Sequence, residues 1–443
     1  MRLTLALLLV AACGGARPGP STPPAGSLAA PSAVAPAAGG ALGELDFPVS
    51  GSPACQAHFD TGMLAMHSFQ YEVAHEEFAA ARAADPGCAM AAWGDAMAHD
   101  HPIWHERDVP AGRAALASVT AEDALTPRER DYLAAARALY GADDEKAAGA
   151  AWLEAARRMR EEHPDDDEVA LQYVLALLRS YGYSPKHVRE QVEAGSIALG
   201  ILARRAHHPG AAHYVIHAFD SREHAILALP AALTYARIAP AAGHAQHMPS
   251  HTFVHLGMWR RAVPSNQRAI AAAVAWAKAH GQTASAYDWH SYSWLVAAHL
   301  ELGQHGTARK LIDDARALVV AATDDSAGMR YDFADMVSIY AVHTGRWDDA
   351  EALVAPVLAP LPDEAKDGAG PVACAAHAPG GGGQARPPVG LSARIIAFTV
   401  AAEAAIRRGD RRAAEARTAD LARVRRQMKA WDGFMPPEHF ARL

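Results

Sequence analysis

Positive charge is in short supply along this chain. Lys and Arg number 41 against 49 Asp and Glu, giving a formal net charge of −8. With no basic stripe to track a phosphate backbone, a nucleic-acid-binding role is excluded. Aromatic residues make up only 7% of the sequence, too few for a β-rich architecture. The familiar catalytic signatures are missing too. Neither His75-Glu76-Glu77 nor His105-Glu106-Arg107 has the second histidine of an H-E-x-x-H helix. There is no G-x-S-x-G elbow, Walker loop or dinucleotide glycine fingerprint, and no Cys-x-x-Cys pair for haem or dithiol chemistry. An enzyme built on this chain therefore has to work through a metal-bound water or oxygen. Tyr214, Tyr287 and Asp288 are the nearest acid–base or radical partners.

What is present is an Ala-rich composition, 51% hydrophobic and 20% charged, as expected of a helical protein. Its length exceeds what one compact core holds, unless each unit buries its face on its neighbours alone. The first thirteen residues read as a processing signal. Arg2 supplies the positive end, and Leu3 to Ala12 is an apolar run too short to span a bilayer. The run closes on Val10-Ala11-Ala12-Cys13, which resembles a bacterial lipobox with Cys13 as the lipid-bearing residue. Gly14 follows Cys13, so the expected location is the periplasmic side of the outer membrane, tethered by lipid. No other stretch is long and apolar enough to be a transmembrane helix. Residues 14–47, mostly Pro, Ala, Gly and Ser, read as a flexible tether.

Nine of the 24 histidines fall between positions 207 and 255. Among them the pattern H-x-x-x-H occurs twice, as His213/His217 and His247/His251, with the copies 34 residues apart. The same frame aligns Ala228 with Ala262 and Pro230 with Pro264. Residues four apart share one face of a helix, and a repeat near 34 residues marks stacked helical hairpins. Two neighbouring hairpins would therefore set four imidazoles side by side.

The remaining punctuation resembles the tetratricopeptide repeat. Phe69-Gln70-Tyr71-Glu72-Val73-Ala74, then Phe78, Ala81 and Asp85-Pro86, resemble the turn, second helix and terminal Asp-Pro of one unit. Gly62 falls where that family keeps a small residue for close helix approach. Further turn signatures are Leu302-Gly303-Gln304, Thr344-Gly345-Arg346-Trp347 and Arg408-Gly409-Asp410, while His163-Pro164 and His208-Pro209 stand in for the Asp-Pro stop. Residues 50–360 also resemble a bacterial group of tetratricopeptide lipoproteins. The shared strings are Ala92-Trp93-Gly94-Asp95-Ala96-Met97 leading to His101-Pro102, His208-Pro209-Gly210-Ala211-Ala212-His213-Tyr214, and His247-Met248-Pro249-Ser250-His251. Tyr287-Asp288-Trp289-His290 is a looser match. The resemblance implies an all-α, TPR-like α-solenoid, a right-handed superhelix of antiparallel helix pairs over 48–361. A Gly/Pro-rich loop follows over 362–390, then a C-terminal helical pair and tail over 391–443. Its register puts Cys55 and Cys88 at neighbouring helix ends, where export lets a disulfide persist. Cys374, in the glycine-rich loop, is left over.

In such arrays the first helix of each unit lines a concave groove. By that register His213, His217, His244, His247, His251 and His255 face the groove, and His101 and His290 join from other units. Pro249 either opens a helix as its first residue or kinks a continuous one. Imidazoles without thiolate suit Zn or Cu first, with Fe or Ni next, and not Ca or Mg. Asp220, Glu223 and Asp288 are candidate carboxylates for orienting imidazole N–H groups. Met63, Met66, His67, Met90, Trp93 and Met97 form a softer set near His101 that suits Cu(I), although buried methionine more often fills core gaps. The leading expectation is a lipid-anchored envelope protein that binds a transition metal for scaffolding or metal handling. A metal-dependent hydrolytic or oxidative enzyme and a metal-free peptide-binding scaffold are the alternatives.

Overall fold

A computed structural model describes residues 41–119, 125–181, 187–322, 327–347, 349–359 and 389–428. Cys13, the leader, Cys374 and the loop up to residue 388 lie outside the described residues, as does 429–443. The fold is all-α. In order come α1 (Pro53–His67), α2 (Tyr71–Ala84), α3 (Ala89–Ala98), α4 (Val109–Ala117), α5 (Pro127–Tyr140), α6 (Glu145–Glu162), α7 (Asp167–Tyr181) and α8 (Val188–Arg204). Then follow α9 (Pro209–Ala218), α10 (Ala225–Ala232), α11 (Tyr235–Ile238), α12 (Gly243–His247), α13 (Pro249–His255) and α14 (Trp259–Ala279). The last are α15 (Trp289–Glu301), α16 (His305–Ala321), α17 (Ala327–Thr344), α18 (Ala350–Leu358), α19 (Val389–Arg407) and α20 (Arg411–Met428). A single antiparallel pair, β1 (Asp100–His101) with β2 (Glu106–Arg107), interrupts them.

Packing mostly joins neighbours in sequence, α1 on α2, α2 on α3 and so on to α19 on α20. The 34-residue frame corresponds to hairpins: α9 with α10–α11, then α12–α13 with α14. Helix α1 departs from nearest-neighbour order by also packing on α9. Gly210 permits this approach, because a Cβ there would lie 2.4 Å from His67 Nδ1. Gly62 acts similarly inside the first hairpin, where a Cβ would meet the Phe78 ring at 2.7 Å.

The turn that ends α1 has a strained residue. Five turns share the same pair of backbone bonds, from one residue to the carbonyl three before it and from the next to the carbonyl five before it. Four of them carry glycine in the left-handed region, at Gly257, Gly281, Gly303 and Gly409. In the first, Phe69 adopts φ 53° instead, which costs a non-glycine residue about 1 kcal/mol or more.

Two boundaries differ from the sequence reading. The packed body begins near residue 41, not 48. Glu44 N–H donates to His207 O, and Phe47 is buried against Phe59 and Tyr132 at ring separations of 5.0 and 4.9 Å. Burial of the Phe47 ring offsets part of the cost of ordering the residues beside it. His208-Pro209, read as a stop, instead starts α9. His208 caps the helix by accepting Ala211 N–H on Nδ1, and Pro209 takes the first position, where no N–H is needed.

Cys55 and Cys88 are joined by a disulfide across 33 residues of chain, both buried beside Ala81 and Ala91. Closing such a loop removes about 4 kcal/mol of freedom from the unfolded chain. The Cys55→Ser/Cys88→Ser variant should show a lower urea midpoint by the corresponding amount. An unchanged midpoint would mean that the link adds nothing to stability.

Candidate metal centre

Each H-x-x-x-H pair lies on the first helix of a hairpin, one on α9 and the other on α12–α13. One helical turn sets His217 Nε2 3.0 Å from His213 Nε2, and His251 Nε2 3.0 Å from His247 Nε2. The pairs do not converge on one point. Each takes a third imidazole from the next hairpin. His244, second residue of α12, brings Nε2 to 3.1 Å from His213 Nε2. His290, second residue of α15, completes the set with His247 and His251. In each triad the three candidate ligand atoms lie within 4.8 Å of one another.

Pro249 shapes both triads. Met248, just before it, keeps helical angles (φ −52°, ψ −35°), so the chain holds a helical course and bends at the proline. That one bent segment gives His244 to the first triad and His247 and His251 to the second.

The hydrogen bonds on the far side of the rings fix the proton positions. His213 Nδ1 donates to His67 O at 2.7 Å. This carbonyl is one of those left without a helical partner at the end of α1. His247 Nδ1 donates to Asn266 Oδ1 at 2.8 Å and to Ser291 Oγ at 2.8 Å. Asn266 is oriented by its own amide donating to Ala262 O, and Ser291 by its hydroxyl donating to Asp288. His251 Nδ1 donates to Asp220 Oδ2 at 2.8 Å. With Nδ1 carrying the proton in each neutral ring, Nε2 presents a lone pair.

In the second triad, lone pairs of His247 and His251 therefore face each other at 3.0 Å inside the protein. Such a contact is repulsive unless a cation sits between them, either a proton or a metal. Nitrogens 2.0–2.1 Å from a tetrahedral ion stand about 3.3 Å apart, close to the spacing found. Carboxylate and carbonyl partners on the remote nitrogens are the usual supports of metal-bound imidazoles.

Aromatic rings wall both triads. Phe69 meets His213 edge-on at 4.4 Å, and Tyr235 stacks on His213 at 5.2 Å. Trp294 stacks on His251 at 4.5 Å. Burial, reinforced by the neighbouring His217, holds His213 well below the usual histidine range, so its ring is neutral at pH 7.

A third buried cluster is built differently. Glu168 accepts His67 Nε2–H at 3.0 Å and His208 Nε2–H at 2.7 Å, while His67 Nδ1 pairs with the Tyr214 hydroxyl at 3.0 Å. Here donors meet acceptors, so the group closes on itself as a hydrogen-bonded network around one carboxylate. Burial pushes the Glu168 carboxyl up, but the charges and hydrogen bonds of His208 and His67 outweigh it and hold it below the usual range. Nothing in the sequence marked Glu168, which meets its partners only through the packing of α7, α1 and α9.

The other expected residues fall as follows. His213, His217, His247 and His251 are buried, not aligned along an open groove, and His244 and His290 are partly exposed. His255 lies outside both triads and donates from Nε2 to Asp220 Oδ1 at 3.1 Å, steadying the carboxylate behind His251. His101 stacks on Tyr71 at 3.9 Å and faces Glu106, apart from either triad. Asp220 contacts His251 directly and Asp288 reaches His247 through Ser291, whereas Glu223 is exposed. Met63, Met66, Met90, Trp93 and Met97 are members of the apolar core. Tyr214 is held by His67, and Tyr287 is partly exposed ahead of α15.

Comparison with protein-family models and with curated proteins finds no match.

The Glu168 network gives a test with a defined sign. Its folded pKa lies below the ordinary 4.5. The stabilisation is therefore fully present above that value and is lost progressively as pH falls below it and through the lower folded value. Glu168→Gln should cost about 3 kcal/mol at neutral pH, and its urea midpoint should approach that of the wild type as pH falls below about 4.5. A gap independent of pH would show that Glu168 is not held as the charged form.

Proposed function

We propose that this chain is a transition-metal protein that holds an ion in each histidine triad. The observation that carries the reading is the convergence of Nε2 atoms in each triad, with the Nδ1–H groups of His213, His247 and His251 committed to fixed acceptors. Three nitrogen ligands leave a coordination position open on each ion. That feature favours a metal-dependent hydrolytic or oxidative enzyme over a closed structural site. The burial of His213, His217, His247 and His251 weighs against a groove that offers free imidazoles to a peptide. We further propose that the helices form a tetratricopeptide-type array, lipid-tethered at Cys13 on the periplasmic face of a bacterial outer membrane. The helical hairpins in the 34-residue frame support the first part. The disulfide, which persists in oxidising compartments, supports an exported location. Among the described residues no helix is long and apolar enough to cross a membrane.

Elemental analysis of chain purified without chelators tests the metal reading. About two equivalents of Zn, Cu, Fe or Ni are expected in the wild type, with His213→Ala and His247→Ala each losing one and the double variant losing both. Metal content unaffected by the double substitution would reject the ligand assignment. Asp220→Asn should leave the fold intact and weaken one of the two sites about 10- to 100-fold. Equal affinities in wild type and variant would remove Asp220 from the site.

A further inference from the structure

The two triads adjoin. His244 and His247 lie on one bent segment, serve different triads, and have ring centroids 6.3 Å apart. All six ligands are neutral imidazoles. The carboxylate contact is Asp220, which stands behind His251, while a neutral carbonyl stands behind His213. Two divalent ions here would set four positive charges close together among imidazoles, at a large desolvation cost that the Asp220 carboxylate behind His251 offsets only in part. Monovalent ions halve that charge. Copper favours imidazole and is stable as both Cu(I) and Cu(II). Three nitrogens around each ion leave a free position, and Phe69, Tyr235 and Trp294 pack against the ligand rings beside it.

Resting on the metal reading above, we propose that the six histidines hold a copper pair that binds dioxygen between its two ions. Each Cu(I) gives up one electron. Dioxygen takes both and becomes peroxide, bonded to the two resulting Cu(II) ions. No proton and no outside reductant enters this step. The bridging dianion also supplies the negative charge that the ligand set lacks. The two units of the repeat then act as one centre and not as two independent sites.

The test uses the full chain, stripped by chelator and loaded with Cu(I) under anaerobic conditions before exposure to air. The expected loading is about two copper ions per chain, with uptake of about one dioxygen per pair. The X-ray absorption edge should report Cu(II), while spin counting by electron paramagnetic resonance recovers only a small fraction of that copper, because bridged Cu(II) ions cancel each other's spin. His244→Ala should leave one copper whose spin is fully counted after chemical oxidation, and His290→Gln should do the same from the other side. Circular dichroism on both variants confirms that they are folded. Two coppers with a full spin count, or copper that stays Cu(I) in air, would overturn the coupled pair and leave the metal reading standing. Binding of zinc but not copper would do likewise. Failure to bind any of these metals would remove the metal reading itself, and this inference with it.

Discussion

Imidazole nitrogens held face to face, a lone pair on each and no donor between them, set the terms for the rest of this molecule. Left to itself a helix would rotate the paired rings of an H-x-x-x-H motif apart. Here three of the four rings are held from behind: His213 by the last carbonyl of α1, His247 by Asn266 and Ser291, His251 by Asp220. Those partners come from different helices, so the geometry of the triads depends on the packing of α1, α14 and α15 against the histidine-bearing helices. The return of α1 onto α9 is central to this. It brings the His67 carbonyl to His213 and Phe69 over the same ring, through the space that Gly210 leaves.

The paired histidines were legible in the sequence because both the four-residue spacing and the 34-residue recurrence are properties of the chain itself. The division into two triads was not. His244 and His290 sit at the second position of their helices, but at unequal distances from the pairs they complete, since a long α14 and a turn separate the later units. His255 has the spacing of a ligand along α13, yet its ring turns to Asp220, a choice decided by the neighbouring loop. His101 was placed by register, but the short β pair after α3 carries it against Tyr71 instead. The all-helical class could be read from composition and punctuation. The packed segment ahead of α1 could not, because its Pro/Ala/Gly surroundings hide the one residue, Phe47, that anchors it.

Phe69 shows how a local rule yields to the site. Its turn has the backbone bonding of four others that use glycine at the same place, and only this one takes a bulky residue into the left-handed region. The conformational cost falls where the side chain meets His213, His217 and His244 at ring separations of 4.4, 5.6 and 5.6 Å. Strain retained beside a polar centre is characteristic of positions where geometry serves more than stability. It also accounts for the departure from nearest-neighbour packing, since the ring can reach the histidines only if α1 lies against α9.

The division of ligands between successive hairpins has a consequence in time. A chain is made from its N-terminus onward. His213 and His217 emerge as a two-toothed chelator, and the third tooth arrives only with α12. The second pair likewise waits for α15. Until then neither triad is complete, so on the proposed metal reading neither holds an ion firmly before its third ring has arrived. On that reading the choice of metal is deferred until the later hairpins have packed.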